Sequence, residues 1–353
     1  MSANGLPLGK CLVVGACGML GHALVRQLLA AGESVRLFDL GVWDGPPGAQ
    51  ALQGDLRDAA AVDRAVEGMD TVFQLASAVW NPKLPRHLFE EINVDGHRHV
   101  IEACLKHGVK RLVYTSSMDV VLRGRTPIVD GDETLPYRPD ANDEPYVRTK
   151  IAAEKMTLAA NGKGALSTCA IRPVGMYGPR DRYHLPALIG LAKSPFAVRM
   201  GDGRARFSHV FCENASWAHL LAARQLGPGS PVAGQAYFVC DDGPAENFFT
   251  FLEPFLARLG LRLPKRSIPY AIAYPLAALV ERLSPTSVFN RFSVIQTCVD
   301  MTFVHRKATR DFGYRPPVGR KEALERTVAW LLKEAKTVPA PESDATATVD
   351  STT

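Results

Sequence analysis

Short runs of apolar residues alternate, through the first two-thirds of the chain, with stretches whose apolar positions recur at helical spacing. Cys11-Leu-Val-Val14 is the first run, and Met19 to Ala31 follows with helical periodicity. Ser34 to Phe38 reads as a strand, Ala59 to Glu67 as a helix and Thr71 to Leu75 as a strand. Leu88 to His107 reads as one long helix, Lys110 to Thr115 as a strand, Tyr146 to Ala160 as a helix and Ser167 to Ile171 as a strand. Apolar runs bounded by helical periods at this spacing predict an α/β fold with a doubly wound parallel sheet. In such sheets ligands bind beyond the carboxyl ends of the strands, where the turn after Val14 and the serines after Thr115 would lie.

From about Pro173 the pattern is less regular and richer in Pro and Gly. The expected organisation is an N-terminal extension at 1–9 and a mainly dinucleotide-binding part at 10–175. A mainly substrate-binding, smaller C-terminal lobe follows at 176–335, with some segments returning to the sheet. The end, 338–353, is Pro, Ala, Ser, Thr and Asp and is expected to be a disordered tail. One stretch stands apart, Ile268 to Val280, apolar but interrupted by Pro269 and Pro275. Its favoured reading is a core or substrate-lining helix, with shallow membrane contact as the alternative.

Composition narrows the function classes. Apolar residues at 46% and charged residues at 22% match a soluble globular protein. The net charge of +5 is modest and no basic block carries interleaved aromatics, so nucleic acid is not an expected partner. Seven scattered cysteines without a Cys-x-x-Cys motif imply a reduced, cytoplasmic chain with no disulfide framework, and no metal site is expected. The N-terminus is too little apolar for a signal peptide, and no run of about 18 apolar residues suggests a spanning helix.

Candidate chemistry begins with Gly15-Ala-Cys-Gly18-Met-Leu-Gly21, which follows the first strand and opens a helix. Gly15 suits a tight turn, Gly18 close approach of backbone to a pyrophosphate, and Gly21 close helix–strand packing. Met19 and Leu20 complete the cofactor-facing turn, whose helix N-terminus supplies amide donors and a positive dipole end. The second strand ends in Asp39, whose carboxylate can accept from an adenosine ribose and repels a 2′-phosphate, so NAD is expected over NADP. Gly54-Asp55-Leu56 follows a third strand. Asp55 there is either an acceptor for the adenine amino group or an N-cap for the helix near Ala59. Ala76 ends the fourth strand and would pass beside the cofactor, and Trp80-Asn-Pro82 belongs to a flexible loop.

Tyr146 and Lys150 stand at i and i+4 and so share a helix face. A cation about 5 Å from a phenol, at an effective dielectric near 20, is worth roughly 3 kcal/mol, or about 2 pKa units. That would bring the phenolate within reach of neutral pH and make Tyr146 an acid/base. The spacing alone is common by chance; the glycine turn upstream and Ser117 give it weight.

With Gly15-x-x-Gly18-x-x-Gly21, Gly54-Asp55-Leu56, Asn93-Val-Asp-Gly96, Tyr114-Thr-Ser-Ser117, Tyr146-x3-Lys150 and Tyr177-Gly-Pro-Arg-Asp181 together, the chain resembles the extended short-chain dehydrogenase/reductase superfamily. The resemblance runs from about Lys10 to Leu332. Within the superfamily the chain is most similar to the 3β-hydroxysteroid dehydrogenase group, particularly the decarboxylating sterol-4α-carboxylate 3-dehydrogenases, with Gln74 a departure where many relatives carry His. It implies a Rossmann-type sheet, Tyr146 as acid/base, and Lys150 as its pKa modifier and ribose ligand. It also implies Ser117 at the substrate oxygen, with Ser116 the rival, and Pro173 bordering the nicotinamide. Asn93 would support the polar network or simply pack. Asp181 and Arg182 are expected to cap a helix rather than touch substrate.

The implied reaction is NAD-dependent oxidation of a 3β-hydroxyl on a sterol-like substrate, with decarboxylation where a 4-carboxylate is present. Val198, Phe207, Phe211, Phe248, Phe249, Tyr270 and Phe289 suit such a ligand, although core packing is the commoner fate of each. The competing readings are an NADPH-dependent reductase of long-chain 2-alkyl-3-keto acids, a nucleotide-sugar epimerase or dehydratase, and a non-catalytic redox sensor. An intact Ser117, Tyr146 and Lys150 set argues against the sensor. Homodimers are common in the superfamily, which leaves a homodimer open here by analogy.

Overall fold

The computed structural model describes residues 6–337 apart from 80–83, 140–143, 183, 194–197, 285, 286 and 288, so the expected tail and the Trp80-Asn-Pro82 loop lie outside the described residues. Seven parallel strands form the central sheet: β1 (Lys10–Val14), β2 (Ser34–Asp39), β3 (Gln50–Gln53), β4 (Thr71–Gln74), β5 (Arg111–Thr115), β7 (Ser167–Pro173) and β11 (Gln235–Val239). Their order is β11-β7-β5-β4-β1-β2-β3. Three short parallel pairs lie outside it. They join β6 (Ile128–Gly131) to β13 (Met301–Phe303), β8 (Gly175–Tyr177) to β10 (His209–Phe211), and β9 (Arg199–Met200) to β12 (Ser267–Ile268).

Burial follows the sequence pattern. The central strands β4, β5 and β7 are buried at every position, whereas β3 at the edge has no fully buried residue. Continuous apolar runs are what a parallel sheet covered on both faces demands. Helices α1 (Met19–Ala30) and α7 (Cys212–Gln225) pack together on one face, and α2 (Ala59–Val66) and α4 (Gly96–Lys106) on the other. The chain runs from β1 outward to β3 and then returns to β4 on the opposite side of β1. The switch point therefore falls between β1 and β4, at the glycine turn.

Two stretches depart from expectation. Leu88–His107 is not one uniform helix: α3 (Arg86–Glu90) runs into a π-helical turn (Glu91–Asp95) before α4 begins. Gly96 allows the exit from that turn, because a Cβ there would stand 2.7 Å from Leu56 Cγ. The apolar stretch after Pro269 forms α9 (Tyr270–Leu283), but only Ala273 and Ala277 of it are buried, so the favoured core reading does not hold. Its apolar character was legible; which side of it meets the protein was not.

The remaining helices, α6 (His184–Lys193), α8 (Phe248–Arg258), α10 (Arg291–Cys298), α11 (Arg306–Phe312) and α12 (Arg320–Thr337), belong to the second part of the chain. Phe207, Phe211, Phe248 and Phe249 are buried in its core, while Tyr270 and Phe289 pack at the margin of a small cluster with Met200.

Helix α5 (Pro145–Ala159) lies against β7 through a buried ion pair. Glu154 and Arg172 have side chains exposed by 0% and 5%, and the guanidinium meets the carboxylate through Nε and Nη2. Tyr137 adds a third donor, its hydroxyl 2.8 Å from Glu154 Oε1. Deleting one partner leaves the other charge buried without compensation. Glu154→Ala should therefore destabilise the protein by about 3–5 kcal/mol in urea denaturation, against about 1 kcal/mol for Tyr137→Phe. Equal, small effects of the two substitutions would show that the ion pair does not anchor α5.

Candidate active site

The glycine turn is built as a cradle. A Cβ at Gly15, where φ is +87°, would meet Ala76 N at 2.6 Å, and one at Gly21 would meet Gly15 O at 2.1 Å. At Gly18 the nearest atom is Gly15 O at 3.5 Å, so a side chain there would fill open space in front of the helix. Gly18 is the N-cap of α1, and no side chain caps that helix. These features fit a dinucleotide pyrophosphate: backbone approaches from one side, and the amide end of a 12-residue helix is left to an anion.

Asp39 closes the cradle. Its Oδ2 accepts from Cys17 N at 2.9 Å and its Oδ1 from Gly41 N at 2.8 Å. Each oxygen has a second lone-pair direction, so the carboxylate can hold the turn and still accept from ribose hydroxyls. Ala76 stands against Gly15, and Gln74 Oε1 accepts from Ala76 N at 3.1 Å, which is what Gln does at this position. The side chains of Leu20 and Leu56 are buried in the core. Met19 is half-buried beside the aromatic cluster of the second part of the chain.

Asp55 is not the cap of α2. Asp58 takes that role, accepting from the amides of Ala60 and Ala61, and Asp55 is held instead by Arg57. That bond draws the Asp55 carboxyl below its ordinary range. Asp181 is a cap, accepting from Leu185 N at 2.9 Å near the start of α6. Its neighbour Arg180, at φ +70°, reaches across to Asp44 on the loop after β2, with contacts of 2.9–3.0 Å.

Ser117, Tyr146 and Lys150 come together at the carboxyl end of β5. Ser117 Oγ donates to Asp119 Oδ2 at 2.6 Å and is hydrogen-bonded to the Tyr146 phenol. The Ser116 hydroxyl is buried with no partner among the described residues, so Ser117 is the serine beside the phenol. Asn93, inside the π turn, makes four hydrogen bonds. Its Oδ1 accepts from Ala78 N and Ser77 Oγ, and its Nδ2 donates to Ala78 O and Thr149 Oγ1. It thereby ties the loop after β4 to the helix carrying Tyr146. Pro173 ends β7, paired with Val239.

The electrostatics differ from the expected ones. Lys150 Nζ donates to Thr115 O at 2.5 Å and lies 4.6 Å from the centre of the Tyr114 ring. Burial brings its pKa down to about 7. Burial, reinforced by the Asp119 charge, pushes the Tyr146 phenol well above its ordinary value, while the Ser117 hydrogen bond opposes the rise. The expected depression of the phenol by Lys150 is therefore not found in this arrangement: the ammonium is spent on Thr115, and desolvation outweighs attraction.

Sequence reasoning missed Asp119, Thr115, Thr149 and His219. Burial raises the Asp119 carboxyl, which sits two residues after Ser117 in a one-turn 3₁₀ segment. An acid so close to the serine is the signal that could have found it. His219 Nδ1 faces Ala215 O, a pure acceptor, so Nδ1 carries the proton and Nε2 accepts from the Thr115 hydroxyl at 2.7 Å. Burial holds that ring neutral, with its pKa lowered to about 4.

The model of the 3-beta hydroxysteroid dehydrogenase/isomerase family matches residues 12–270. The chain is 38% identical to the mouse (Mus musculus) sterol-4-alpha-carboxylate 3-dehydrogenase, decarboxylating, over 90% of this chain and 90% of that protein. It is 36% identical to the zebrafish (Danio rerio) short-chain dehydrogenase/reductase family 42E member 1, over 91% and 87% respectively. Among solved structures, MoeE5 in complex with UDP-glucuronic acid and NAD superposes with a TM-score of 0.70 at 24% identity, covering 92% of this chain and 100% of that one. At that identity the likeness concerns the fold alone.

The lowered Lys150 pKa has a consequence for stability. Between about pH 7 and the ordinary lysine value of 10.5, the unfolded chain binds a proton that the folded chain has released. Stability from this group should thus rise with pH across that window, and below it the full cost of burying the cation is present. Lys150→Met should flatten the rise in urea midpoints measured between neutral and alkaline pH. Parallel curves for the two proteins would show that Lys150 stays charged when folded.

Proposed function

Because the chain belongs to the 3-beta hydroxysteroid dehydrogenase/isomerase family, NAD(P)-dependent oxidoreductases acting on CH–OH groups, we propose that it oxidises the 3β-hydroxyl of a steroid- or sterol-like substrate with NAD. The observation that carries this reading is the Tyr146–Ser117–Asp119 cluster at the carboxyl end of β5, two strands along from a glycine cradle closed by a carboxylate. When bound, NAD would supply the hydride acceptor and a positively charged ring.

Tyr146 takes the hydroxyl proton as the carbinol carbon loses its hydride. A phenol held high by burial is a weak base as it stands, so catalysis depends on positive charge gathering beside it, from Lys150 and from the oxidised cofactor. Lys150, which donates to Thr115 O here, would hold the nicotinamide ribose and add positive charge near the phenol. Ser117 has one proton and spends it on Asp119, so steadying the developing carbonyl oxygen requires that proton to swing toward the substrate. Asn93 and Thr149 position α5 and take no part in proton movement.

A substrate with a carboxylate on the carbon next to the new ketone becomes a β-keto acid, which loses carbon dioxide without further groups from the protein. The name of the mouse relative supports that class of substrate. Asp39 favours NAD, because a 2′-phosphate would face its charge while its oxygens already accept from Cys17 N and Gly41 N.

The wild-type protein should reduce NAD with 3β-hydroxysteroids or 4-carboxysterols, followed at the reduced-nicotinamide absorbance. Tyr146→Phe should lower kcat by about a hundredfold or more while NAD still binds; near-normal turnover would remove the phenol from the mechanism. Asp39→Ala should bring the NAD/NADP preference in kcat/KM down by about tenfold, through loss of repulsion, and weaken NAD as the turn loosens. Unchanged selectivity would mean that Asp39 only shapes the loop.

A further inference from the structure

Carboxylates that hold this fold together gather several donors. Asp58 accepts from the amides of Ala60 and Ala61, and Asp241 accepts from the Tyr177 hydroxyl, Phe211 N and Asn214 Nδ2. Asp119 does not follow them. Its Oδ2 accepts from Ser117 Oγ at 2.6 Å, and among the described residues neither of its oxygens has a second hydrogen-bond donor. The return contact, from Asp119 N to Ser117 Oγ, is long at 3.3 Å. A carboxylate whose single donor is the hydroxyl beside the Tyr146 phenol is not explained by a role in holding backbone.

The charges around it largely oppose one another. The 3₁₀ segment Met118–Val121 packs against α5, whose Tyr146 and Lys150 both feel the Asp119 charge. Glu144, the N-cap residue of α5, pushes the Asp119 carboxyl up, and Arg138 pulls it down. Those two are themselves paired at 2.9 Å, and the Arg138 amide is tied to Val120 O at 2.8 Å. Burial is the largest influence and favours the neutral acid, against Lys150 and the Ser117 bond. Asp119 is still partly exposed, so an apolar substrate seated at Ser117 would strip water from it and disfavour its charge further.

We propose, on the dehydrogenase reading above, that Asp119 is a positioning residue that sets which way the Ser117 hydroxyl points. As a carboxylate it has only lone pairs to offer, takes the serine proton and leaves Ser117 an acceptor toward the substrate. As a carboxylic acid it donates its own proton to Ser117 Oγ, and the serine hydrogen turns to the substrate oxygen, where negative charge develops. The proton comes from solvent and returns to it, and no bond to carbon changes. A bond to the ionised carboxylate is about twice as strong as a neutral one, so the serine leaves it reluctantly.

Reduction of a 3-ketosteroid by NADH, the reverse of the proposed oxidation, isolates the effect, because Tyr146 keeps its proton far up the pH scale. In the wild type kcat should fall in two steps as pH rises, one from Asp119 and one from Lys150, whose pKa lies at about 7. Asp119→Asn cannot ionise and should keep a single step, moved to lower pH because the Asp119 charge no longer helps Lys150 hold its proton. On the acid side its kcat should lie about threefold to tenfold below wild type, since an amide N–H anchors the serine oxygen less firmly. Asp119→Ala should lose about a further tenfold, in kcat more than in KM. Circular dichroism and NAD binding check that both variants fold, and the Asn variant stands alone if the Ala variant does not. Infrared titration needs no substrate: the wild-type spectrum minus that of Asp119→Asn should show a carboxylic-acid carbonyl band that persists above the ordinary carboxylate range. Two steps retained in Asp119→Asn, equal losses in the Asn and Ala variants, or no such band overturn the proposal. The band without turnover of any 3β-hydroxysteroid or 3-ketosteroid supports the switch and overturns the functional reading instead.

Discussion

An ammonium buried to 2% exposure, as at Lys150, must be solvated by the protein or surrender its proton, and much of the surrounding structure answers that demand. The Thr115 carbonyl takes the place of one water and the Tyr114 ring face of another, while Glu154 and Asp119 contribute favourable fields. Each of these partners is itself pinned. His219 holds the Thr115 hydroxyl, Arg172 and Tyr137 hold Glu154, and Ser117 holds Asp119. One cation thus fastens α5 to β5, and through its partners to β7 and α7, and the position of Tyr146 one turn earlier on α5 follows from it. The same solvation is incomplete, which is why the group sits near the edge of losing its charge.

The cofactor side is arranged by exclusion rather than by attraction. Three glycines keep side chains out of the turn, and the Asp39 carboxylate beside it accepts from the amides of Cys17 and Gly41. The Arg180–Asp44 pair joins the second part of the chain to the loop beyond β2. Nearly empty backbone follows β1, and a dense network of buried polar groups follows β5.

Much of this was legible in the sequence. The sheet, the glycine turn and the shared helix of Tyr146 and Lys150 are readable because they depend on continuous apolar runs, on the helical period of 3.6 residues and on residues with a single conformational use. What was not legible depends on which neighbour a side chain chooses. Asp55 and Asp58 are equally good caps on paper, and only the helix start at Ala59 decides for Asp58. Lys150 was expected to face the phenol, yet a carbonyl lay within reach. For α9 the apolar character was plain, but an apolar stretch looks the same in sequence whether it turns toward protein or away from it. Leu20 and Leu56 are motif neighbours whose positions beside the turn are set by backbone, and their side chains serve the core.

The π turn at Glu91–Asp95 holds one residue more than an α-helical ladder would need. Upstream of its end, Asn93 must face Ala78 and Thr149; just downstream, Gly96 must face Leu56. In a plain α-helix a residue removed between them would rotate one anchor by about 100° relative to the other. The surplus residue is therefore a phase correction between two faces that obey different neighbours. Any ungapped alignment of a regular helix onto this segment will match one anchor and misplace the other, so here a single-residue gap carries structural meaning.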